Sequence, residues 1–258
     1  MIPMPVTIFF QLFRKILPVA ATIGFVCWIY SSYGAWAYTF ENKAEFFKLI
    51  GEHLVLVIIS MTAAIGVGVT LGTIMTRRGM EKSASVIMAV VNVWQSVPSL
   101  GVIALAYGIL PVLGMSGIGM VPALIALFFH AVSPIVRNTY AGIDGVSNDV
   151  IEAATGMGLT KRQILFQIEL PNALPVIMGG IRTSSAIIVG TAPLAFLIGG
   201  GGLGFWIFTG IALVDMGIMT AGAVPVALLA MAIDYLLGLL EKTIVSKGIL
   251  QDDYDLAV

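Results

Sequence analysis

The sequence predicts an all-α integral membrane protein with about six membrane-spanning helices. Three observations carry that class. Of 258 residues, 59% are hydrophobic and 10% are charged, whereas a soluble domain carries about 25% charge; mean hydropathy is +1.01. Six apolar regions meet or approach the roughly 20 residues that a helix needs to cross a bilayer core. The runs are continuous, without period-two alternation, which favours helices over a barrel.

The expected spans, in order, are Ile16–Tyr33, His53–Met75, Ala84–Leu113, Gly119–Val136, Val176–Ile198 and Gly217–Leu240. The first has two readings. Arg14 and Lys15 before it and Ala35-Trp36-Ala37 after it resemble a cleavable signal peptide. The long apolar run and the aromatics Trp28, Tyr30 and Tyr33 suit a retained anchor with an interface belt. The third region is too long for one straight span and contains Pro98. Ala84–Val97 reads as a helix near the cytoplasmic interface, and Pro98 as the first turn of the true span. In the fifth, Gly190-Thr191-Ala192-Pro193 predicts a break or kink. The 29 glycines and 13 methionines fit helices that pack closely in lipid.

Orientation follows from the basic residues. Arg14, Lys15, Arg77, Arg78, Lys82, Arg137, Lys161, Arg162, Lys242 and Lys247 fall on one side, ten of the 13. Lys43 and Lys48 fall on the other, and Arg182 lies just inside span five. The positive-inside rule makes the first side cytoplasmic, with both termini cytosolic. Residues 1–50 then form an anchor helix and short external loop, 51–242 the membrane core, and 243–258 a cytosolic tail.

Composition excludes several classes. The net charge of −1 gives no reason to expect a nucleic-acid partner. Cys27 is the only cysteine, so it has no internal disulfide partner, and its apolar neighbours predict simple packing. His53 and His130 are too far apart in sequence to suggest a Cys/His metal site, and both read as structural. No G-x-x-x-x-G-K-[ST] occurs, so the chain has no P-loop.

The cytosolic stretch Glu152–Pro171 is the polar exception. It reads EAATGMGLTKRQILFQIELP. Val150–Met157 predicts a short helix, with Asn148 or Asp149 as N-cap and Glu152 in the first turn. Ala153 and Ala154 give it a low-relief surface. Gly158 suits a left-handed turn. Thr160 can cap a second helix bearing Lys161, Arg162 and Gln163, which Leu170-Pro171 ends. An ordinary solvated amphipathic loop is the bland alternative.

Glu152, Ala153, Ala154, Gly158, Ile168, Leu170 and Pro171 stand in an E-A-A-x-x-x-G-x(9)-I-x-L-P arrangement. In this the chain resembles the permease subunits of bacterial binding-protein-dependent ABC importers. Gln95-Ser96-Val97-Pro98-Ser99, Ser133-Pro134-Ile135-Val136-Arg137-Asn138 and Gly200-Gly201-Gly202-Leu203-Gly204 look like the glycine betaine/carnitine/choline branch, across roughly residues 51–242. The resemblance implies a type I importer permease fold of the MetI kind in the bacterial inner membrane, with its coupling loop at 144–175. It implies transport of osmoprotectants, with an amino-acid importer of the methionine type as the alternative. Two cytosolic ATPases, a second permease chain (identical or paralogous) and a periplasmic or lipid-anchored binding protein would be partners. No cofactor is expected on this chain; ATP and Mg would be used by the ATPase.

Other polar residues keep two readings. Asn92, Trp94, Gln95, Ser96 and Pro98 are candidates for the translocation path or its gate, or for interhelical hydrogen bonding. Thr183, Ser184, Ser185 and Thr191 could line the path or join helices. Arg182 is expected to snorkel, and Asp234 to be solvated or paired rather than a proton relay. Gly199–Gly204 reads as a hinge or close-packed turn on the external face, with Phe205 and Trp206 marking the interface. No aromatic cage is evident within the spans, so specificity is expected to rest with the binding protein. An ion-coupled secondary transporter or a membrane enzyme is disfavoured: embedded ionisable groups are scarce, and no catalytic constellation is evident.

Overall fold

The computed structural model describes residue 22 and residues 24–245. Residues 16–21 and 23 of the first expected span, and the tail beyond 245, lie outside the described residues. The helices are α1 (Ala35–Glu41), α2 (Lys43–Met75), α3 (Glu81–Gln95), α4 (Ser99–Ile109), α5 (Met120–Asp144), α6 (Asn148–Gly156), α7 (Lys161–Ile164), α8 (Leu170–Thr191), α9 (Gly204–Leu213) and α10 (Met216–Ile244). The segment 24–32 is also helical. Among the described residues, four helical stretches are long and apolar enough to cross a membrane, or five if the bent pair α3–α4 is one span.

The core is built around α5, which packs against α2 on one side and α8 on the other. The α2 contact is written in small residues. Ser60, Ala64, Gly68 and Gly72 recur every four residues on one face, and all are buried. A Cβ on Gly72 would stand 2.6 Å from Thr139 Cβ, and one on Gly68 would stand 2.8 Å from Ile135 Cβ. Lipid tails are as apolar as leucine, so association depends on close backbone approach and polar contacts. Ser60 supplies such a contact by donating to the Leu124 carbonyl at 3.2 Å. At the α5–α8 crossing, Gly142 meets Ala173 and Val176, and Gly180 meets Asn138 and Pro134.

Several boundaries differ from the sequence expectation. The second span begins at Lys43, not His53. Its 33 residues span about 50 Å at 1.5 Å per residue, so the helix projects well beyond a core of about 30 Å. The apolar window was legible; the amphipathic turns carrying Lys43, Lys48 and Glu52 were not. His53 is thereby inside a helix and fully buried. In the third region the chain does break before Pro98, which caps α4 in extended conformation. The two helices bend by 104°. The segment from Ser99 through the 3-10 turn Leu110–Leu113 is about 22 Å long as an α-helix, too short to be a full straight span. The fourth and sixth spans run on to Asp144 and Ile244. The expected break near Pro193 is present: α8 ends at Thr191 and Ala192–Ile198 is a 3-10 turn.

Two side chains reverse their expected settings. Trp206 is not an interface marker; it is fully buried and donates to Glu45 at 2.8 Å. Cys27 is exposed rather than packed. The Trp206 difference comes from Glu45, remote in sequence.

Candidate functional site: the coupling loop and its supports

The loop is assembled from local hydrogen-bonding motifs. Helix α6 is capped by Ser147, whose hydroxyl accepts the Asp149 N–H at 3.3 Å. Asp149, not Glu152, is the first-turn acid, because the helix starts two residues earlier than its apolar pattern. Its other end closes with Gly158 N–H on the Thr155 carbonyl and Leu159 N–H on the Ala154 carbonyl. That paired pattern needs a left-handed residue at its corner. Gly158 supplies it at φ +84°. Thr160 then opens α7 with a reciprocal cap: its hydroxyl accepts from Gln163 N–H, and its own N–H donates to Gln163 Oε1 at 2.9 Å.

The second helix does not end at Leu170-Pro171. It passes through a π turn, Leu165–Glu169, in which Leu170 N–H reaches back to the Leu165 carbonyl. A helix start accepts proline because that N–H has no partner there; the π turn lets Pro171 occupy the same position inside a continuous helical path. The chain from Lys161 to Ile198 is therefore one bent rod.

The signature residues are not equivalent. Glu152, Ala153, Gly158 and Pro171 are exposed, while Ile168 and Leu170 are half-buried. Ala154 turns inward and is 1% exposed. Val150, Met157 and Phe166 are exposed apolar residues on the same loop, and the Arg162 guanidinium lies over Phe166 at 5.9 Å. These three were missed in the sequence. Their signal is an apolar side chain out of phase with the buried face of its short helix.

An ion pair ties the loop to the body. Arg77, at the end of α2, pairs with Glu169 of the π turn at 2.7 Å. Arg77 also donates to the Thr73 carbonyl and the Thr76 hydroxyl, which fixes its direction. Beneath the loop lies a cavity of about 290 Å³ lined by Gly142, Val146, Ser147, Val150, Asn172 and Val176. A larger one, about 520 Å³, opens where the C-terminal ends of α2 and α5 meet the start of α3, beside Arg78, Glu81, Tyr140 and Asp144.

The model for the family described as "Binding-protein-dependent transport system inner membrane component" matches residues 68–246. The chain belongs to this family. Its members are multi-pass components of the inner membrane, and the bundle of long apolar helices agrees with that setting. Among curated relatives, the glycine betaine/carnitine/choline transport system permease protein OpuCB of Bacillus subtilis is 43% identical over 208 residues, 81% of this chain and 92% of that one. The choline transport system permease protein OpuBB of the same organism is 43% identical over 207 residues, 80% and 92% of the two chains. The osmoprotectant import permease protein OsmY of Salmonella typhimurium is 48% identical over 196 residues, 76% and 80%. Among solved structures, an inward-facing form of the MetNI methionine ABC transporter has a chain with a TM-score of 0.70 at 22% identity, covering 80% of this chain and 99% of that one. An amino acid ABC transporter with histidines gives a TM-score of 0.67 at 18% identity, covering 80% and 97%. These two likenesses establish the MetI-like fold.

In this inner membrane component the remaining polar candidates separate into two groups. Asn92, Gln95 and Ser96 are exposed around the α3–α4 break, with Pro98 exposed beside them. Asn92 accepts a hydrogen bond from Arg137 of α5, and Ser96 donates to the Asn92 carbonyl. Trp94 is half-buried and packs on Phe129, ring centres 5.4 Å apart. Ser184, by contrast, is fully buried and donates to the Ala131 carbonyl at 2.7 Å; its geometry is that of a helix-to-helix contact. Thr191 bonds back to the Ile187 carbonyl of its own helix. Thr183, not Ser184, is exposed on α8. Arg182 does not snorkel freely: it is paired with Asp234 and Glu241 of α10.

The opposite end of the bundle is held differently. Gly199, Gly201 and Gly202 all have positive φ, and Glu52 accepts the Gly202 N–H at 2.9 Å. Tyr38 and Phe46 pack on Trp206, with ring centres 5.0 and 5.5 Å away. Burial, then the Glu45 and Asp215 carboxylates, push the Tyr38 phenol above its ordinary pKa. The aromatic cluster is a packed seal, and its indole N–H is committed to Glu45.

Proposed function

We propose that this chain is the permease subunit of an ATP-driven importer of osmoprotectants such as glycine betaine, carnitine or choline. The single observation that carries the substrate class is extensive identity to permeases of that description, reaching 48% for OsmY. The likeness to methionine and amino-acid transporters is one of fold at 18–22% identity and gives no support to an amino-acid substrate.

The loop geometry supports the mechanism. Glu152, Ala153 and Gly158, with the exposed Val150, Met157 and Phe166, form the surface that two cytosolic ATPases would engage, one per permease chain. Ala154, Ile168, Leu170 and Pro171 join that surface to the body. ATP and Mg are consumed on the ATPase, and its closure moves the loop and with it α8. A second permease chain, identical or paralogous, completes the path; Asn92, Trp94, Gln95, Ser96 and Pro98 flank it near the α3–α4 break, with the exposed Thr183 on the adjoining span. A periplasmic or lipid-anchored binding protein delivers the solute. Both termini are cytosolic in this reading.

Reconstitution with the ATPase and binding protein tests it. ATP-dependent uptake of labelled glycine betaine, carnitine or choline is expected, without competition by methionine. Uptake of methionine alone would overturn the substrate class, and uptake without the ATPase would overturn the energy source. Gly158 tests the loop. No atom crowds it within 4 Å, so only its backbone conformation matters. G158V is expected to cost the loop roughly 2 kcal/mol or more and to reduce both ATPase association and uptake. G158N, which tolerates a left-handed backbone, is expected to retain most of both.

A further inference from the structure

The cytosolic loop acts on α8, but α8 is only one rod of the bundle. Arg182 lies thirteen residues beyond Glu169, about 20 Å along the helix. Its guanidinium crosses to α10 and grips it at two levels. Nε donates to Asp234 Oδ1 at 2.9 Å and Nη2 to Asp234 Oδ2 at 3.0 Å, a two-pronged pair. Nη1 donates to Glu241 Oε2 at 3.0 Å.

The seat for this contact is built into α10. Asp234, Gly238 and Glu241 are spaced four and three apart, hence on one helical face. Gly238 stands between the acids, and a Cβ there would meet the guanidinium carbon at 3.7 Å, an ordinary contact. The planar fork lies beside Gly238 and is bonded to both carboxylates. Lysine, with a point charge, can satisfy one acid but cannot reproduce the fork.

At its outer end α10 is packed against α9. Gly222 meets Ile207 and the Leu203 carbonyl, and Asp215 caps α10 by accepting from Gly217 and Ile218. A mechanical route thus runs from the loop through the π turn to α8, across Arg182 to α10, and out to α9 and the external seal.

We propose that Arg182 is a positioning residue for transport: its two-level grip makes α8 and α10 move as one body, so that displacement of the cytosolic loop reaches the external face. This rests on the importer reading above. Arg182 with two acids leaves one excess negative charge. E241Q removes that excess and keeps the two-pronged Asp234 pair, so it spares the fold while loosening the grip to one level.

The experiment uses the full complex in proteoliposomes with its ATPase and a substrate-loaded binding protein, and reads solute moved per ATP hydrolysed. The wild-type complex tests the importer reading by itself. R182M is expected to lower the transport-to-hydrolysis ratio at least tenfold while ATP hydrolysis stays within about twofold, with partial recovery in R182K. E241Q is expected to assemble normally and lower the ratio severalfold. An unchanged ratio in E241Q and R182M, whether both activities persist or both fall together, overturns the proposal. Failure of E241Q to assemble assigns the triad to folding and overturns it as well.

Discussion

The two faces of the bundle are held by opposite strategies. At the loop end, α6 and α7 are organised by bonds between residues two to five apart: Ser147 to Asp149, Gly158 to Thr155, Thr160 to Gln163. One remote ion pair, Arg77 to Glu169, ties them to α2. At the opposite end the decisive bonds join residues 150 and 161 positions apart, Glu52 to Gly202 and Glu45 to Trp206. A segment closed by its own local bonds can shift as a unit without losing its shape. A segment stitched to a distant helix is fixed in place and excludes solvent. The first arrangement suits a surface that is pushed by a partner, the second a surface that must seal.

Substitutions can break or sharpen this contrast. The largest effect is expected at the α5–α8 crossing on which both faces depend. A Cβ on Gly180 would lie 2.7 Å from Asn138 Cβ and 3.0 Å from the Pro134 carbonyl oxygen, so G180L should cost about 3 kcal/mol or more. Thermal unfolding in detergent should show little folded G180L protein. Next comes the seal. W206F keeps the aromatic packing but leaves the Glu45 carboxylate without its indole donor, a loss of about 2 kcal/mol. A lowered melting temperature checks it, and an unchanged one would deny the bond its role.

E52A removes the acceptor for the buried Gly202 N–H and should cost about 1–2 kcal/mol. Hydrogen exchange should rise at the Gly199–Gly204 turn and leave α6–α7 unchanged. T160A should cost the least, about 1 kcal/mol. Its exchange increase should be confined to α7 and the preceding turn. If E52A loosened the α6–α7 loop, or T160A the Gly199–Gly204 turn, the two faces would not be independent in the way their bonding implies.

The loop was the most legible region because its information is local. Gly158 and Thr160 sit where a left-handed corner and a helix cap require them, and Pro193 marks the end of α8 as expected. Small residues every four positions from Ser60 to Gly72 also carry a readable packing face. Legibility failed where a residue's role depends on a remote partner. Trp206 reads as an interface aromatic until Glu45 is beside it, and Arg182 reads as a snorkelling cation until Asp234 and Glu241 face it. It failed again at Pro171, because a π turn leaves no mark in apolar periodicity.

The chain's composition and hydrophobic run lengths determined by themselves that it is a helical membrane protein, since a bilayer admits few ways to satisfy backbone polar groups. The E-A-A to L-P spacing located the loop, since its turns depend on residues only a few positions apart. Tertiary structure alone decided which acid faces which base, which alanine of the signature turns inward, and that the loop and α8 form one continuous rod. Those choices rest on contacts between helices, and no residue's local pattern specifies what will pack against it from 50 or 160 positions away.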